Sequence, residues 1–127
     1  MCRIFSFTDK RQKPPYVIPS LIAKIKNVKQ KKIILSNLNH YRDFVSTKDI
    51  ALAINILFKK NKKGFYNIGG GNSINIKTIA TLIGKKYRKK IIFLNDNKPT
   101  HLVSNCNKLK KLGWRPKKFK KKISYFY

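Results

Sequence analysis

Short β-rich runs alternate with runs of helical periodicity along nearly the whole chain, and this alternation restricts the fold more than any other feature. "CRIFSF", "KKIILS", "YRDFVS", "GFYNIG" and "KKIIFL" read as strands. Between them, "VIPSLIAKIKNVKQ" sets Ile18, Leu21, Ile22, Ile25 and Val28 at helical spacing, with Pro19 tolerated in the first turn. "DIALAINILFKK" is a second helix, capped by Thr47 or Asp49 and ending in lysines that suit the negative end of its dipole. Asn75 caps a third, "IKTIATLIGKKY", whose apolar face is Ile76, Ile79, Ala80, Leu82 and Ile83. "CNKLKKL" is a short helix stopped by Gly113, with Trp114 packing back. The segments "TDKRQKPPY", "NLNH", "GGNS" and "NDNKPT" are loops, and the tail "KKFKKKISYFY" reads as a cut-off helix. The architecture implied is α/β.

The chain has 127 residues, a length that buries roughly two thirds of its surface as one domain or a piece of one. Its hydrophobic fraction of 42% suffices for a core. A net charge of +27 would ordinarily point to nucleic acid. Here, however, lysine far outnumbers arginine, the residue suited to bidentate phosphate contacts, and the lysines are spread along the chain. Abundant lysine, isoleucine and asparagine fit a drift in composition, so the charge argues weakly for a nucleic-acid partner. Cys2 and Cys106 lack CxxC spacing and read as free thiols of a reducing cytoplasm. The longest uncharged apolar run, "IALAINILF", is far too short for a membrane span.

Candidate chemistry is sparse. "NIGGGNSI" follows a strand and precedes a helix, but Ile74 stands where the third glycine of a dinucleotide-binding loop belongs. It reads as a flexible strand-to-helix turn. No Tyr-x-x-x-Lys pair occurs, and His40 and His101 have no carboxylate or cysteine at metal-ligand spacing. The chain has no glutamate and only four aspartates, two of which, Asp43 and Asp49, fall within "HYRDFVSTKDIALAI". Asp49 suits a helix start. Asp43 and Arg42 point to opposite faces of an extended segment, which leaves Arg42 able to grip a diphosphate, or to form a structural salt bridge.

At "YRDFVSTKDIALAI", "GFYNIGGGNSINIKTIATLI" and "NKLKKLGWRPK", in that order and spacing, the sequence resembles the C-terminal part of the NAD-dependent epimerase/dehydratase family. These are extended short-chain dehydrogenases acting on nucleotide sugars. The resemblance runs from about Arg3 to Lys118 and implies the substrate-binding lobe of an extended Rossmann-type enzyme, with the N-terminal cofactor domain missing. Residues 1–8 would be the remnant of a Rossmann strand, and 9–127 the substrate-binding lobe. Arg42 would contact the diphosphate, with Ile34, Asn39 and His101 as further substrate-binding residues. Departures are a changed loop at Ser6–Lys10 and "PTHLVSN", with His101 and Asn105, where the family often carries a second arginine. The implied function is a truncated nucleotide-sugar epimerase/dehydratase that keeps substrate grip without a complete catalytic centre. No catalytic, cofactor-binding or metal-binding residue is expected. NAD(P) belongs to the intact family and is not expected to bind this chain alone. A nucleotide-diphosphate sugar and a separate N-terminal cofactor-domain polypeptide are the implied partners. A basic RNA- or anion-binding module, with Lys117–Lys122 as its patch, and a non-functional remnant stay open beside this reading.

Overall fold

In chain order, the computed structural model contains β1 (Cys2–Ile4), β2 (Phe7–Thr8), α1 (Val17–Asn27), β3 (Lys32–Ser36), β4 (His40–Arg42) and β5 (Val45–Ser46). There follow α2 (Thr47–Lys59), β6 (Tyr66–Ile68), β7 (Ile74–Asn75), α3 (Ile76–Lys86), β8 (Lys90–Leu94), β9 (Thr100–Leu102) and α4 (Asn107–Lys110). The structure describes residues 1–94 and 98–117. Half of the expected "NDNKPT" turn and nearly all of the tail therefore lie outside the described residues. The chain divides into two compact units, each assembled from separate stretches. Unit 1 holds residues 1–9, 42–73 and 102–117, and unit 2 holds 10–41, 74–94 and 98–101.

In unit 1, β1 runs parallel to β6, with Cys2 opposite Tyr66 and Ile4 opposite Ile68, and β2 runs parallel to β5. The run "CRIFSF" is therefore not one strand. Phe5 N–H donates to Ile68 O at 2.9 Å, and Ser6 O accepts from Val45 N–H at 3.0 Å. The chain changes partner between those residues, and the ladder breaks there. "YRDFVS" is also divided, at Asp43 and Phe44, both of which turn inward and are buried.

The cap of α2 is Ser46, not Thr47 or Asp49. Its Oγ accepts from Asp49 N–H at 3.1 Å and donates to Asp49 Oδ2 at 2.7 Å. This reciprocal arrangement needs the hydroxyl three residues before the acid, which only Ser46 satisfies. Thr47 lies inside the helix and donates to Asp9 Oδ2. The buried stripe of α2, Ile50, Ala53 and Leu57, packs with Val45, Tyr66, Ile68, Cys106, Leu109 and Trp114 into one core. Trp114, 1% exposed, also donates its Nε1–H to Asp49 O at 3.0 Å.

In unit 2, β3 and β8 pair in parallel from Lys32 opposite Lys90 to Ser36 opposite Leu94. Period two governs β3: Ile33 and Leu35 are buried and Ile34 is 56% exposed. α3 packs against β8 and α1, burying Ile76, Ile79, Ala80 and Ile83 of α3 and Ile18, Leu21, Ile22 and Ile25 of α1. Leu82 is only half-buried. Asn75 caps α3 as expected, accepting from Lys77 N–H at 2.8 Å. Beyond α1, the Lys89 ammonium donates to Val28 O, Lys29 O and Gln30 O at 2.6, 3.3 and 3.0 Å. A further sheet has the order β7–β4–β9. Among the described residues, no helix is long and apolar enough to cross a membrane.

Because Trp114 fills the centre of the unit 1 core, Trp114→Ala should cost about 3–5 kcal/mol. Urea denaturation followed by circular dichroism should show the midpoint fall accordingly; an unchanged midpoint would contradict this packing.

Candidate functional site

Asp43 is the only fully buried acidic side chain among the described residues, and its surroundings explain its position. One carboxylate oxygen, Oδ2, accepts Ser104 N–H at 2.8 Å, Gly71 N–H at 3.2 Å and the Ser104 hydroxyl. Cys106 Sγ lies 2.9 Å from Ser104 Oγ and donates to Gly69 O at 3.3 Å. The other oxygen, Oδ1, is buried without a hydrogen-bond partner. A single acid thus ties the start of the 42–73 stretch to its glycine turn and to the 102–117 stretch.

The glycines follow from this closeness. A Cβ at Gly69 would lie 2.5 Å from Asp43 Oδ2, and one at Gly70 would lie 2.5 Å from Phe44 O. Gly71 adopts φ +66°, in the left-handed region. The sequence suggests a flexible turn here; the structure instead has one packed against a carboxylate. Residues so close to backbone oxygen and carboxylate leave no room for side chains. Arg42, next to this latch, is half-buried at the end of β4.

In unit 2, β4 and β9 bring a second group of side chains together. His40 Nδ1 and Thr100 Oγ1 are 2.8 Å apart, and Tyr41 stacks on His101 with centroids 4.4 Å apart and rings 8° from parallel. Asn39 Oδ1, just before β4, accepts from Asn75 Nδ2 at 3.0 Å. Asn39 and His101 therefore both belong to the β4 neighbourhood, whereas Ile34 stands exposed on β3 in a different sheet. Sequence reasoning missed β9 and with it the Tyr41–His101 stack; the Thr-His-Leu-Val run after Pro99 carried the only signal. It also missed Ser104 and Cys106, whose partners are remote in sequence.

Each described aspartate takes hydrogen bonds within the fold: Asp9 from Thr47, Asp43 from Ser104 and Gly71, and Asp49 from Ser46. Among the described residues no group of three His, Cys, Asp or Glu side chains could hold a metal ion. Within unit 2, an aromatic pair and an amide pair lie at β4, and these suit ring and hydroxyl recognition.

The family model for GDP-mannose 4,6 dehydratase matches residues 2–124. The chain belongs to that family. Three solved structures place this dehydratase-family chain in a Rossmann-type epimerase/dehydratase fold. RMD from Pseudomonas aeruginosa, complexed with NADPH, matches with TM-score 0.77 and 19% identity over 95% of this chain and 43% of its own. The dTDP-glucose 4,6-dehydratase of Bacillus anthracis, in complex with NAD, matches with TM-score 0.72 and 27% identity over 98% and 42%. The UDP-glucose 4-epimerase of Thermus thermophilus, also with NAD, gives 0.73 and 20% over 95% and 42%. The chain thus spans less than half the length of these solved relatives. No curated protein matches it.

Asp43→Ala removes the acceptor from the buried Ser104 N–H and hydroxyl and from the part-buried Gly71 N–H, at about 1–3 kcal/mol for each buried group left unsatisfied. We expect a loss of several kcal/mol in urea denaturation, larger than that of Asp9→Ala at the more exposed Thr47 contact. Equal losses would show that the latch carries no special weight.

Proposed function

We propose that this chain is the nucleotide-sugar-binding part of an epimerase or dehydratase, and that Arg42 grips the diphosphate of the sugar nucleotide. The observation that carries this reading is the Asp43 latch. By fixing the residue that follows Arg42, it fixes the backbone from which the guanidinium leaves. A planar fork held at a set point can bind diphosphate oxygens in pairs, and less conformational freedom is lost on binding. His101, stacked on Tyr41, and Asn39, bonded to Asn75, would supply directional contacts. The exposed Ile34 would offer an apolar contact near the base. Under this reading residues 1–8 are the remnant of a Rossmann strand and 9–127 the substrate lobe.

Hydride chemistry would come from NAD(P) held elsewhere, on a separate cofactor-domain polypeptide. The glycine turn here does not fit a pyrophosphate: Gly71 N–H is bonded to Asp43, and a buried carboxylate stands where phosphate oxygens would come. The names of the relatives support a nucleotide-sugar substrate, since a dTDP-glucose dehydratase and a UDP-glucose epimerase share the fold.

Thermal unfolding with UDP-, dTDP-, CDP- or GDP-sugars tests the reading. A ligand at about 100 times its Kd adds about 2.7 kcal/mol. For a chain of this size that raises Tm by roughly 10 °C. One of the four should produce such a shift, and Arg42→Ala should abolish it. A shift that survives Arg42→Ala but disappears with added salt would favour nonspecific anion binding by the lysines. With NAD and the same sugars, the chain alone should show no turnover; measured turnover would refute the division of labour.

A further inference from the structure

The cations of unit 2 gather at one end of it. α1 and α3 both finish where the parallel strands β3 and β8 begin, because each helix leads into its strand through a short turn. Residues 24–32 carry five lysines across the first of these turns, and residues 85–90 carry four lysines and Arg88 across the second. The two turns adjoin. The Lys89 ammonium donates to the Val28, Lys29 and Gln30 carbonyls, and Lys90 N–H donates to Lys31 O at 2.8 Å. Lys89 is half-buried in this clamp, and the other cations of the two segments are exposed. No aspartate or glutamate occurs among the described residues of unit 2.

Local structure does not account for so many. Lysines in the last turn of a helix answer its dipole, but each helix end carries only about half a negative charge. Two ends call for about one cation, against the ten present. Lys32 and Lys90, moreover, stand directly opposite each other in the β3–β8 ladder, where neighbouring strands run about 4.8 Å apart. Like charges so placed destabilise a sheet. A cluster kept at such a cost is relieved when an external polyanion neutralises it.

We infer that this end of unit 2 binds the sugar–phosphate backbone of double-stranded RNA. The total charge of the chain chooses no partner, whereas the local arrangement does. Lysine ammoniums are compact point charges suited to single phosphate oxygens, so the face meets a backbone and reads no sequence. Tyr87, the one aromatic ring of these two segments, is half-buried with the Lys86 ammonium 5.9 Å from its centroid, and offers no open platform for the bases of a single strand. Asn27 and Gln30 place exposed amides among the lysines. An amide both donates to and accepts from a ribose 2′-hydroxyl, which DNA lacks. Neither segment exposes a large apolar side chain of the kind that inserts into a membrane surface. The Lys89 clamp ties the two turns together, so their charges are presented as one face.

The test is fluorescence anisotropy of the full chain with an RNA duplex of about 20 base pairs of arbitrary sequence, titrated from low to physiological salt. About six phosphate contacts give a log–log salt slope of about −5, the value expected here. Lys32→Gln with Lys90→Gln should reduce that slope by about two and weaken binding by about tenfold or more. Lys60→Gln with Lys63→Gln removes the same charge from exposed positions of unit 1, and should change the affinity by less than about threefold. Asn27→Ala with Gln30→Ala should keep the slope and abolish a preference of about fivefold or more for RNA over a DNA duplex of the same sequence. Far-ultraviolet circular dichroism should be the same for every variant. Equal losses from the two lysine pairs, DNA bound by the unaltered chain as well as RNA, or phosphatidylserine vesicles bound more tightly than the RNA duplex would each overturn the inference.

Discussion

The Asp43 carboxylate holds unit 1 together at a point where no strand pairing could. Its donors come from residues 28 and 61 positions away, so one side chain closes two long loops. Burying a carboxylate is costly, and it is tolerated only where hydrogen bonds replace water. Three donors converge on a single oxygen, which suits an ionised acid with acceptor capacity alone better than an amide, which would present an NH₂ group to them. The contact also dictates its neighbours. Gly69 and Gly70 lie too close to Asp43 and Phe44 for any side chain, and the "GGG" run is accounted for by packing.

The same logic extends to the other acids described. Asp49 is locked with Ser46 at the start of α2, where Trp114 also bonds its carbonyl, and Asp9 takes the Thr47 hydroxyl. In a chain with so few carboxylates, these three act as pins in the fold. Little negative charge is left to offset the lysines at the surface. Such a surplus favours weak attraction to anions in general, but it selects no particular partner. Under the proposed reading, selectivity would come from a few fixed groups, Arg42 beside the Asp43 latch foremost among them.

What the sequence disclosed was mostly local. α1, α2 and α3 were legible from apolar spacing, Asn75 from its place before a helical run, and β3 and β8 from compact apolar segments. Trp114 was legible as an anchor because Gly113 and Pro116 leave the chain little choice but to fold back. The failures share a cause. "CRIFSF" and "YRDFVS" each look continuous, yet the first changes strand partner and the second turns an acid inward. Both depend on partners dozens of residues distant, which no local pattern records. Around β4 the sequence singled out Asn39, Arg42 and His101 through resemblance, while Tyr41, Ser104 and Cys106 became visible only through contacts.

Each unit carries its own buried set of side chains, so a chain of this length has enough core for both. The large apolar side chains left exposed occur in both units, from Ile4, Ile54 and Phe58 to Val17, Ile34 and Leu94. On α2, Ile54 and Phe58 stand one turn apart and line a cavity with Met1 and Cys2. Under the proposed reading the two demands divide cleanly within the molecule. Binding needs groups held at fixed positions, which the Asp43 latch supplies beside Arg42. Chemistry needs a hydride donor aligned on the substrate to within ångströms, which the same reading assigns to a part of the enzyme outside this lobe.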